Sequence, residues 1–269
     1  MKKTKIGIVG CGGIGTGVAC FVDKNLKDKV FIYAICDVDS EKACVLKKKL
    51  KAHPKVLGLD DLIKSADLIV EVASKEAAKL TLAKAIKYKK DVMILSVGAL
   101  IENKALIKKA DACGINIYIP SGAICGVDGL GALSVANIKD ISLITSKPPK
   151  GLIGADYLKN KKIDLNNLKK EKVVFNGSVN EAIKHFPKNI NVAAILLLVS
   201  NFSKVNVCIK ADPKIKRNTH RIEINAKEAK ICVEVANVPS SVNPKTSTLA
   251  ILSAQYMLKK IFSSLKIGN

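Results

Sequence analysis

Short apolar runs alternate with amphipathic segments through the first 120 residues of the 269-residue chain. The runs have the length of buried strands, and the segments between them repeat apolar residues at helical spacing. We predict strands at 6–9, 30–36, 68–72, 92–95 and 115–119, and helices at 41–51, 60–64, 75–87 and 102–113. Such alternation indicates a parallel sheet covered by helices on both faces, whose ligands bind beyond the carboxyl ends of the strands.

The pattern changes near residue 121, where longer segments alternate apolar and polar residues. These predict an antiparallel sheet with one covered face, with strands at 138–146, 173–176, 205–211, 220–225 and 229–235. Helices are predicted at 179–186, 190–200 and 247–265, and an exposed loop at 159–172. The expected fold is α/β: a Rossmann-type parallel-sheet domain at 1–120, joined by a C-terminal helical segment (240–269) that packs back on it, and an α+β substrate or dimerisation domain at 121–239.

A glycine-rich turn joins the first strand to the first helix. Its sequence, GCGGIG at 10–15, is the dinucleotide-binding pattern G-x-G-x-x-G in its expected context. Gly10 permits the tight turn, Gly12 lets the backbone approach a pyrophosphate, and Gly15 allows close packing of helix on strand. Together with Gly13 and Ile14, these residues form a candidate cofactor loop at a helix N-terminus, where unpaired N–H groups favour phosphate.

An acidic residue ends the second predicted strand. Asp37 lies 22 residues beyond Gly15, close to the spacing of the carboxylate that holds a ribose 2′-hydroxyl, and it therefore favours NAD. Lys42 and Lys47 follow and leave NADP possible, because they offset the repulsion of a 2′-phosphate. Further cofactor contacts are expected where the next strands end, at Ala73, Ser74 and Ser96.

The formal charge of +22 first suggests a nucleic-acid partner, but the lysines are spread along the chain. Tryptophan is absent and aromatic residues make up 4%, so the stacking platforms of nucleic-acid readers are missing. We predict no nucleic-acid partner and an attraction for small anions instead. The longest apolar run, 192–199, is too short to span a membrane, and no signal peptide is indicated, so a cytoplasmic protein without membrane contact is expected.

Eight cysteines are scattered without C-x-x-C spacing and without a companion histidine cluster. Several lie inside apolar strand patterns, where a thiol behaves as a small hydrophobic group. This usage is typical of a reducing compartment and predicts neither disulfides nor a metal site.

Five motifs occur in one order along the chain: GCGGIG at 10–15, PSGAICG at 120–126, FPKNINVAA at 186–194, NTH at 218–220 and NPKTS at 243–247. Over essentially its whole length the chain resembles the archaeal and bacterial L-aspartate dehydrogenase family. The resemblance implies oxidation of L-aspartate with NAD(P) to iminoaspartate, which hydrolyses to oxaloacetate and ammonia or feeds NAD biosynthesis. It also implies a homodimer.

The resemblance assigns the catalytic histidine to His220 and nicotinamide-side contacts to Ala123 and Asn189. Acid–base chemistry supports His220 separately, because amine deprotonation and water activation suit a group that titrates near neutrality. Only two other histidines exist: His53 lies in a loop of the first domain, and His185 lies in a helix before the FPKN motif. Without the motif, His220 has a structural alternative as a satisfied buried residue.

The remaining candidates have structural alternatives of similar weight. Ser121 is interpreted as opening a helix that binds an anion or the nicotinamide ribose, or as a capped helix start at the domain hinge. Asn189 is a carboxamide partner or a helix N-cap. Lys245, Thr246 and Ser247 are candidate substrate residues, and the last two are equally suited to capping the final helix.

Two functional alternatives remain open. One is another two-domain NAD(P)-dependent enzyme, such as one acting on homoserine or dihydrodipicolinate, although the motifs expected of those enzymes are not found. The other is a non-catalytic NAD-binding regulator, which would bind the dinucleotide without reducing it.

Overall fold

The computed structural model describes residues 3–186, 191–202, 204–240 and 246–268. The chain forms two compact units: Met1–Pro120 with Ala250–Ile267, and Ser121–Leu249 with Gly268–Asn269. Among the described residues, no helix combines the length and apolar character that crossing a membrane requires.

The first unit is built on a six-stranded parallel sheet in the order β3-β2-β1-β4-β5-β6. Its strands are β1 (Thr4–Val9), β2 (Val30–Cys36), β3 (Lys55–Val56), β4 (Leu68–Glu71), β5 (Asp91–Ile94) and β6 (Ile117–Tyr118). Its helices are α1 (Gly13–Asn25), α2 (Ser40–Lys49), α3 (Leu59–Ser65), α4 (Lys75–Lys87), α5 (Gly98–Glu102) and α6 (Lys104–Ala112). The predicted alternation of strands and helices around a parallel sheet is confirmed.

The helix predicted at 102–113 is confirmed as α6, which begins two residues later. Asn103, with φ −128° and ψ 46°, separates it from the short helix α5, which was not predicted. The Asn103 side-chain amide donates to the carbonyl of Ala99 at 2.8 Å. Asparagine commonly competes for backbone groups in this way, which is why it marks helix ends. Asn103 therefore ends α5 and separates it from α6.

The last helix, α11 (Thr248–Ile261), belongs mainly to the core of the first unit. Its Ala254 and Leu258 are fully buried in the same hydrophobic cluster as Ile6 and Val18. Gln255 donates to the carbonyl of Gly17 at 3.0 Å. A Cβ on Gly17 would lie 2.6 Å from a methyl carbon of Ile251, so this glycine allows the two helices to pack closely.

The second unit contains a five-stranded mixed sheet in the order β11-β10-β7-β9-β8. Its strands are β7 (Ile138–Lys147), β8 (Lys172–Ser178), β9 (Val205–Ala211), β10 (Asn218–Ala226) and β11 (Lys230–Asn237). Its helices are α7 (Val127–Leu133), α8 (Asp156–Asn160), α9 (Val179–His185) and α10 (Asn191–Ser200), with a 3-10 turn at Pro149–Gly151. Only β7 and β9 pair in parallel, so the predicted mainly antiparallel sheet is confirmed.

Residues 246–248, which precede the last helix or begin it, are bonded to residues 238–240 after β11. The amide of Ser240 donates to the carbonyl of Thr246 at 2.7 Å, and Pro239 and Ser247 form an isolated bridge. The amide of Thr248 donates to the carbonyl of Val238 at 2.9 Å. These bonds link 246–248 to the residues that follow β11. The second unit extends to Leu249, and α11 begins at Thr248.

One face of the mixed sheet is buried, and we call it the covered face. It carries the alternating residues Ile141 and Leu143 of β7, Val205 and Val207 of β9, and Ile222 and Ile224 of β10. Alternation along a strand places every second side chain on the same side. The next inward positions of β7 and β10 are polar, so the chemistry of the covered face changes at one end.

Candidate active site

The glycine loop has the geometry of a phosphate-binding turn. It lies between β1 and α1, and Gly12 is the residue before the helix. Gly10 has φ +106°, a conformation that glycine adopts readily. A Cβ on Gly15 would lie 1.9 Å from the carbonyl oxygen of Gly10, whereas one on Gly12 would meet nothing within 4 Å. Gly15 is therefore required for packing, and the backbone at Gly12 remains open to a ligand.

Asp37 lies beside this loop, directly after β2. One carboxylate oxygen accepts from the N–H of Cys11 at 2.6 Å, and the other accepts from the N–H of Asp39 at 2.9 Å. Asp39 caps α2 and pairs with Lys42 at 3.1 Å. Lys42 is thus paired with the carboxylate that caps its own helix, and Asp37 and Asp39 place two acidic side chains next to each other after β2.

The ends of β4 and β5 are joined by a buried glutamate that sequence reasoning missed. Glu71 is fully buried, and its carboxylate accepts from the N–H of Ala73 at 2.8 Å. It also accepts from the N–H and the hydroxyl of Ser96, at 3.1 and 2.9 Å. Burial raises the pKa of Glu71, and these hydrogen bonds oppose that shift. An acid inside an otherwise apolar strand run is the signal that could have found it.

Among the other first-unit candidates, Ser74 has a structural role: its hydroxyl caps α4 by accepting from the N–H of Ala77 at 3.2 Å. Gly13 and Ile14 form the first turn of α1. The structure therefore groups the candidates of this unit at the carboxyl ends of neighbouring strands β2, β1, β4 and β5.

His220 lies at the polar end of the covered face in the second unit. It is 7% exposed, and its Nδ1 is hydrogen-bonded to the hydroxyl of Thr145 at 3.0 Å. The two residues are direct partners across the β7–β10 ladder. Burial, followed by the nearby charge of Lys147, lowers the pKa of His220 to about 4. The imidazole is therefore neutral at pH 7 but a weaker base than an exposed histidine, which differs from the expectation of a group that titrates near neutrality.

Lys147 is a second residue that sequence reasoning missed. It follows Thr145 on the same face of β7 and is 8% exposed. Burial lowers its pKa to about 8. The alternation of inward-facing residues along β7 could have found it. This alternation runs through 141, 143 and 145 to 147, but the predicted strand ended at residue 146.

Asn237, the last residue of β11, connects two of the sequence motifs. It is 3% exposed; its amide donates to the carbonyl of Ala123 at 3.0 Å, and its carbonyl accepts from the hydroxyl of Ser247 at 2.5 Å. The Ser247 oxygen also accepts from the N–H of Leu249 at 3.1 Å, so Ser247 caps α11. Ala123 and Ser247 are far apart in sequence, yet both are hydrogen-bonded to the buried side chain of Asn237. Thr246, which precedes Ser247, is partly buried.

The prediction that Ser121 opens a helix is wrong. The next helix, α7, begins at Val127, and the intervening chain forms turns. Gly122 and Gly126 both have positive φ, +68° and +78°, which interrupts any helical path through this segment. The predicted roles of Asn189 and Lys245 lie outside the described residues.

We expect Asn237→Ala to lower the free energy of unfolding by about 1–3 kcal/mol, because it leaves the half-buried carbonyl of Ala123 and the half-buried hydroxyl of Ser247 without their side-chain amide partner. Chemical denaturation monitored by circular dichroism measures this. Asn206→Ala is the matched control, since Asn206 is an exposed asparagine on β9 of the same sheet. Equal stability of the two variants would show that the hydrogen bonds of the Asn237 side chain do not stabilise the fold.

The chemistry available is that of a dinucleotide loop in one unit and of a neutral histidine with a buried cation in the other. Within the described ranges, no cluster of three or more His, Cys, Asp or Glu side chains is suited to a metal ion. All eight cysteines are free thiols.

Comparison with known proteins gives consistent matches for both units. Residues 128–261 match the family described as aspartate dehydrogenase, C-terminal, and residues 10–120 match the homoserine dehydrogenase NAD-binding domain. The L-aspartate dehydrogenase of Methanosarcina mazei is 42% identical over 270 residues, covering 98% of this chain and 99% of that protein. That of Bradyrhizobium diazoefficiens is 34% identical and covers 100% and 95%.

Solved structures agree with these matches. The crystal structure of aspartate dehydrogenase from Thermotoga maritima is 28% identical, with a TM-score of 0.78, and covers 99% of this chain and 100% of that chain. The myo-inositol dehydrogenase of Lactobacillus casei, solved with NAD(H) and myo-inositol, is 11% identical with a TM-score of 0.61 and covers 99% and 89%. At that identity the second likeness shows the fold alone.

Proposed function

The chain belongs to the L-aspartate dehydrogenase family, and on this premise we propose that it oxidises L-aspartate to iminoaspartate with NAD as the hydride acceptor. Iminoaspartate then hydrolyses to oxaloacetate and ammonia. The observation that carries the proposal is the 42% identity to an L-aspartate dehydrogenase over 98% of the chain. The geometry of His220 supports it as well, because Thr145 holds Nδ1 of the buried imidazole in one orientation.

The first unit fits NAD on its own geometry. A side chain at Gly15 would collide with the loop, Gly12 leaves its backbone open, and the Asp37 carboxylate lies against the loop. We assign the pyrophosphate to the loop of Gly10, Gly12, Gly13, Ile14 and Gly15, and the ribose hydroxyls to Asp37. When bound, NAD supplies the acceptor for the hydride that leaves Cα of the amino acid.

Further cofactor contacts are proposed at Ala73, Ser74 and Ser96, because they follow the strands beside β1. Glu71 holds the backbone at Ala73 and Ser96 in place, so these two positions are fixed before any ligand arrives. Ala123 and Asn189 remain the proposed nicotinamide-side residues from the second unit. Ser121, Lys245, Thr246 and Ser247 remain proposed substrate residues, although the Ser247 hydroxyl already has two partners.

His220 is the proposed acid–base residue. Its Nδ1 is engaged by Thr145, which orients the ring and leaves Nε2 to meet the substrate. The neutral ring accepts a proton from the substrate ammonium, so that the nitrogen lone pair can form the C=N bond as hydride leaves. After this proton has been released to solvent, the same nitrogen takes a proton from the water that attacks the imine.

We expect Asp37→Ser to raise the ratio of kcat/KM for NADP to that for NAD by about 10- to 100-fold, because a like-charge clash with a 2′-phosphate is removed. Initial rates with each cofactor at saturating amino acid measure the ratio. Asp23→Ser is the control, since Asp23 bonds the backbone of 51–52 rather than the loop. An unchanged ratio in Asp37→Ser would show that Asp37 does not select the cofactor.

A panel of amino acids, assayed at the absorbance of reduced nicotinamide with NAD and with NADP, tests the function. Reduction with L-aspartate and not with L-homoserine, L-alanine or L-glutamate is the expected result. Turnover of another amino acid alone would overturn the substrate, and dinucleotide binding without any reduction would favour a regulator.

The localisation, the oligomeric state, the use of NADP and the fate of iminoaspartate are proposals that rest on the family resemblance. We propose a cytoplasmic homodimer that also accepts NADP and whose iminoaspartate feeds NAD biosynthesis. Light scattering after size-exclusion chromatography measures the oligomeric state, and a mass near one chain of 28.8 kDa would reject the dimer.

A further inference from the structure

Two carboxylates flank the glycine loop, at the ends of the strands on either side of β1. Asp37 directly follows β2, and Glu71 is the last residue of β4. Each accepts the backbone N–H of the residue two positions later, at 2.9 and 2.8 Å. Each also bonds a second segment: Asp37 accepts from the N–H of Cys11 in the loop, and Glu71 accepts from Ser96 beyond β5. The strand ends on the two sides of β1 are therefore held by separate acidic side chains.

Both oxygens of the Glu71 carboxylate act as acceptors. Oε1 accepts from the N–H of Ala73 at 2.8 Å and from the hydroxyl of Ser96 at 2.9 Å, and Oε2 accepts from the N–H of Ser96 at 3.1 Å. A glutamine of the same size cannot replace it, because its NH2 group would face one of the two N–H donors. Since Glu71 is fully buried, solvent would not relieve this mismatch. The connection between the turns after β4 and β5 therefore requires a carboxylate.

The glycine loop has hydrogen bonds of its own. The N–H of Gly10 donates to the carbonyl of Cys36 at 2.8 Å, and the N–H of Cys11 donates to Asp37 at 2.6 Å. Both bonds join the loop to the end of β2, and neither involves the Glu71 side chain. A change at Glu71 therefore leaves these bonds of the loop in place.

The position of Glu71 in the sheet corresponds to one half of a dinucleotide site. A Rossmann sheet consists of two mononucleotide-binding halves, and its ligand lies across the point where the strand order reverses. In this sheet the order reverses between β1 and β4. Asp37 lies beyond β2, where the acidic residue of this fold binds the ribose of the adenosine half. The ends of β4 and β5, which Glu71 joins, therefore belong to the half for the nicotinamide.

We propose that Glu71 is a positioning residue for the nicotinamide half of the cofactor, and that it holds the turns after β4 and β5 in the arrangement that receives this half. The inference rests on the proposed function, which assigns NAD to the first unit. A site whose backbone is fixed before binding avoids the cost of ordering it, and its affinity is higher for that reason. Because the adenosine half is held separately through Asp37, loss of the Glu71 carboxylate weakens the binding of the whole dinucleotide more than that of a ligand that ends at the pyrophosphate.

ADP and NADH distinguish the two halves, because ADP lacks the second ribose and the nicotinamide. For Glu71→Gln we expect the dissociation constant of NADH to rise by about 10- to 100-fold and that of ADP to change by less than about threefold. Fluorescence titration measures NADH binding, and calorimetry measures ADP binding. Glu102→Gln is the matched control, since it removes the same charge from an exposed side chain of the same unit. Equal losses of both ligands in Glu71→Gln, or an NADH affinity equal to that of Glu102→Gln, would overturn the proposal.

Glu71→Asp provides a second variant that decides the proposal if Glu71→Gln does not fold. An aspartate at a strand end still reaches the N–H two positions later, as Asp37 does, but the missing methylene keeps it from Ser96. We therefore expect a smaller loss of NADH affinity than in Glu71→Gln, again without a matching loss for ADP. An NADH affinity equal to that of the wild type would show that the turn after β5 does not need this carboxylate, and loss of the fold would assign Glu71 to stability alone. Either result would overturn the proposal.

Turnover of L-aspartate by the wild type is measured separately. Its absence, together with a selective loss of NADH binding in Glu71→Gln, would reject the proposed substrate and retain the role of Glu71. Normal turnover with equal losses of NADH and ADP would reject the role of Glu71 and retain the proposed function. Wild-type protein that binds neither ligand would reject both.

Discussion

Replacement of His220 by asparagine is expected to lower kcat for L-aspartate oxidation by about 10²- to 10⁴-fold, the usual contribution of a positioned acid–base group. Asparagine retains a hydrogen-bonding group near Thr145 but cannot carry a proton between substrate and water. The dissociation constant for NAD should not change, because the glycine loop and Asp37 belong to the other unit.

Steady-state rates and fluorescence titration of NADH measure the two quantities. His53→Asn is the matched control: His53 is exposed and has φ +44°, a conformation that asparagine tolerates, so this variant should retain wild-type kcat. A kcat near that of the wild type in His220→Asn would remove His220 from the mechanism.

The same variant has a readout in stability. The folded protein holds the pKa of His220 at about 4, below its ordinary value of 6.5, so the unfolded chain binds a proton first as the pH falls. Wild-type stability should therefore decline from pH 6.5 toward pH 4, by about 3 kcal/mol from this group in all. Denaturation curves at several pH values should show a weaker decline in His220→Asn, and parallel curves would indicate that burial of this histidine has no such effect.

Replacement of Gly15 by alanine is expected to lower the free energy of unfolding by about 1–3 kcal/mol, because overpacking a tight site forces the backbone to move. The added Cβ would lie 1.9 Å from the carbonyl oxygen of Gly10, which has no flexible side chain that can move aside. Since the loop itself must shift, we also expect the dissociation constant for NAD to rise by at least about tenfold. Thermal and chemical denaturation together with NADH titration measure both effects.

Gly12→Ala distinguishes an effect on stability from an effect on NAD binding. Nothing lies within 4 Å of an added Cβ at Gly12 or at Gly58, and each glycine is the residue before a helix. The two alanine variants should therefore lose similar small amounts of stability, while only Gly12→Ala weakens NAD binding. Equal NADH affinity in Gly12→Ala and Gly58→Ala would contradict the placement of the pyrophosphate at this loop.

Most of the parallel sheet could be predicted because its signals are local. The buried strand β2 is a short continuous apolar run, and β4 is apolar up to Glu71. Helices such as α4 repeat apolar residues at helical spacing over several turns. Short elements were missed: α5, α7 and α8 have five, seven and five residues. One or two turns contain too few positions for a period to be recognised, and tertiary contacts decide them.

The candidate site divides in the same way. The glycine loop and Asp37 were predicted from spacing, because a βαβ unit places them together through sequence-local geometry. His220 came from a motif, but Thr145, its partner 75 residues away, did not. The pairing depends on the register of β7 against β10, and a shift of one residue would turn each side chain to the opposite face.

The sequence by itself determined the fold class, the dinucleotide loop and the family, because periodicity, glycine geometry and motif order are properties of neighbouring residues. Only the tertiary structure decided that Glu71 fixes the strand ends, that Asn237 joins Ala123 to Ser247, and that Lys147 is buried near His220. These contacts connect residues distant in the chain, and their energies depend on burial. Burial and strand register are set when the whole sheet packs, so no local pattern contains them.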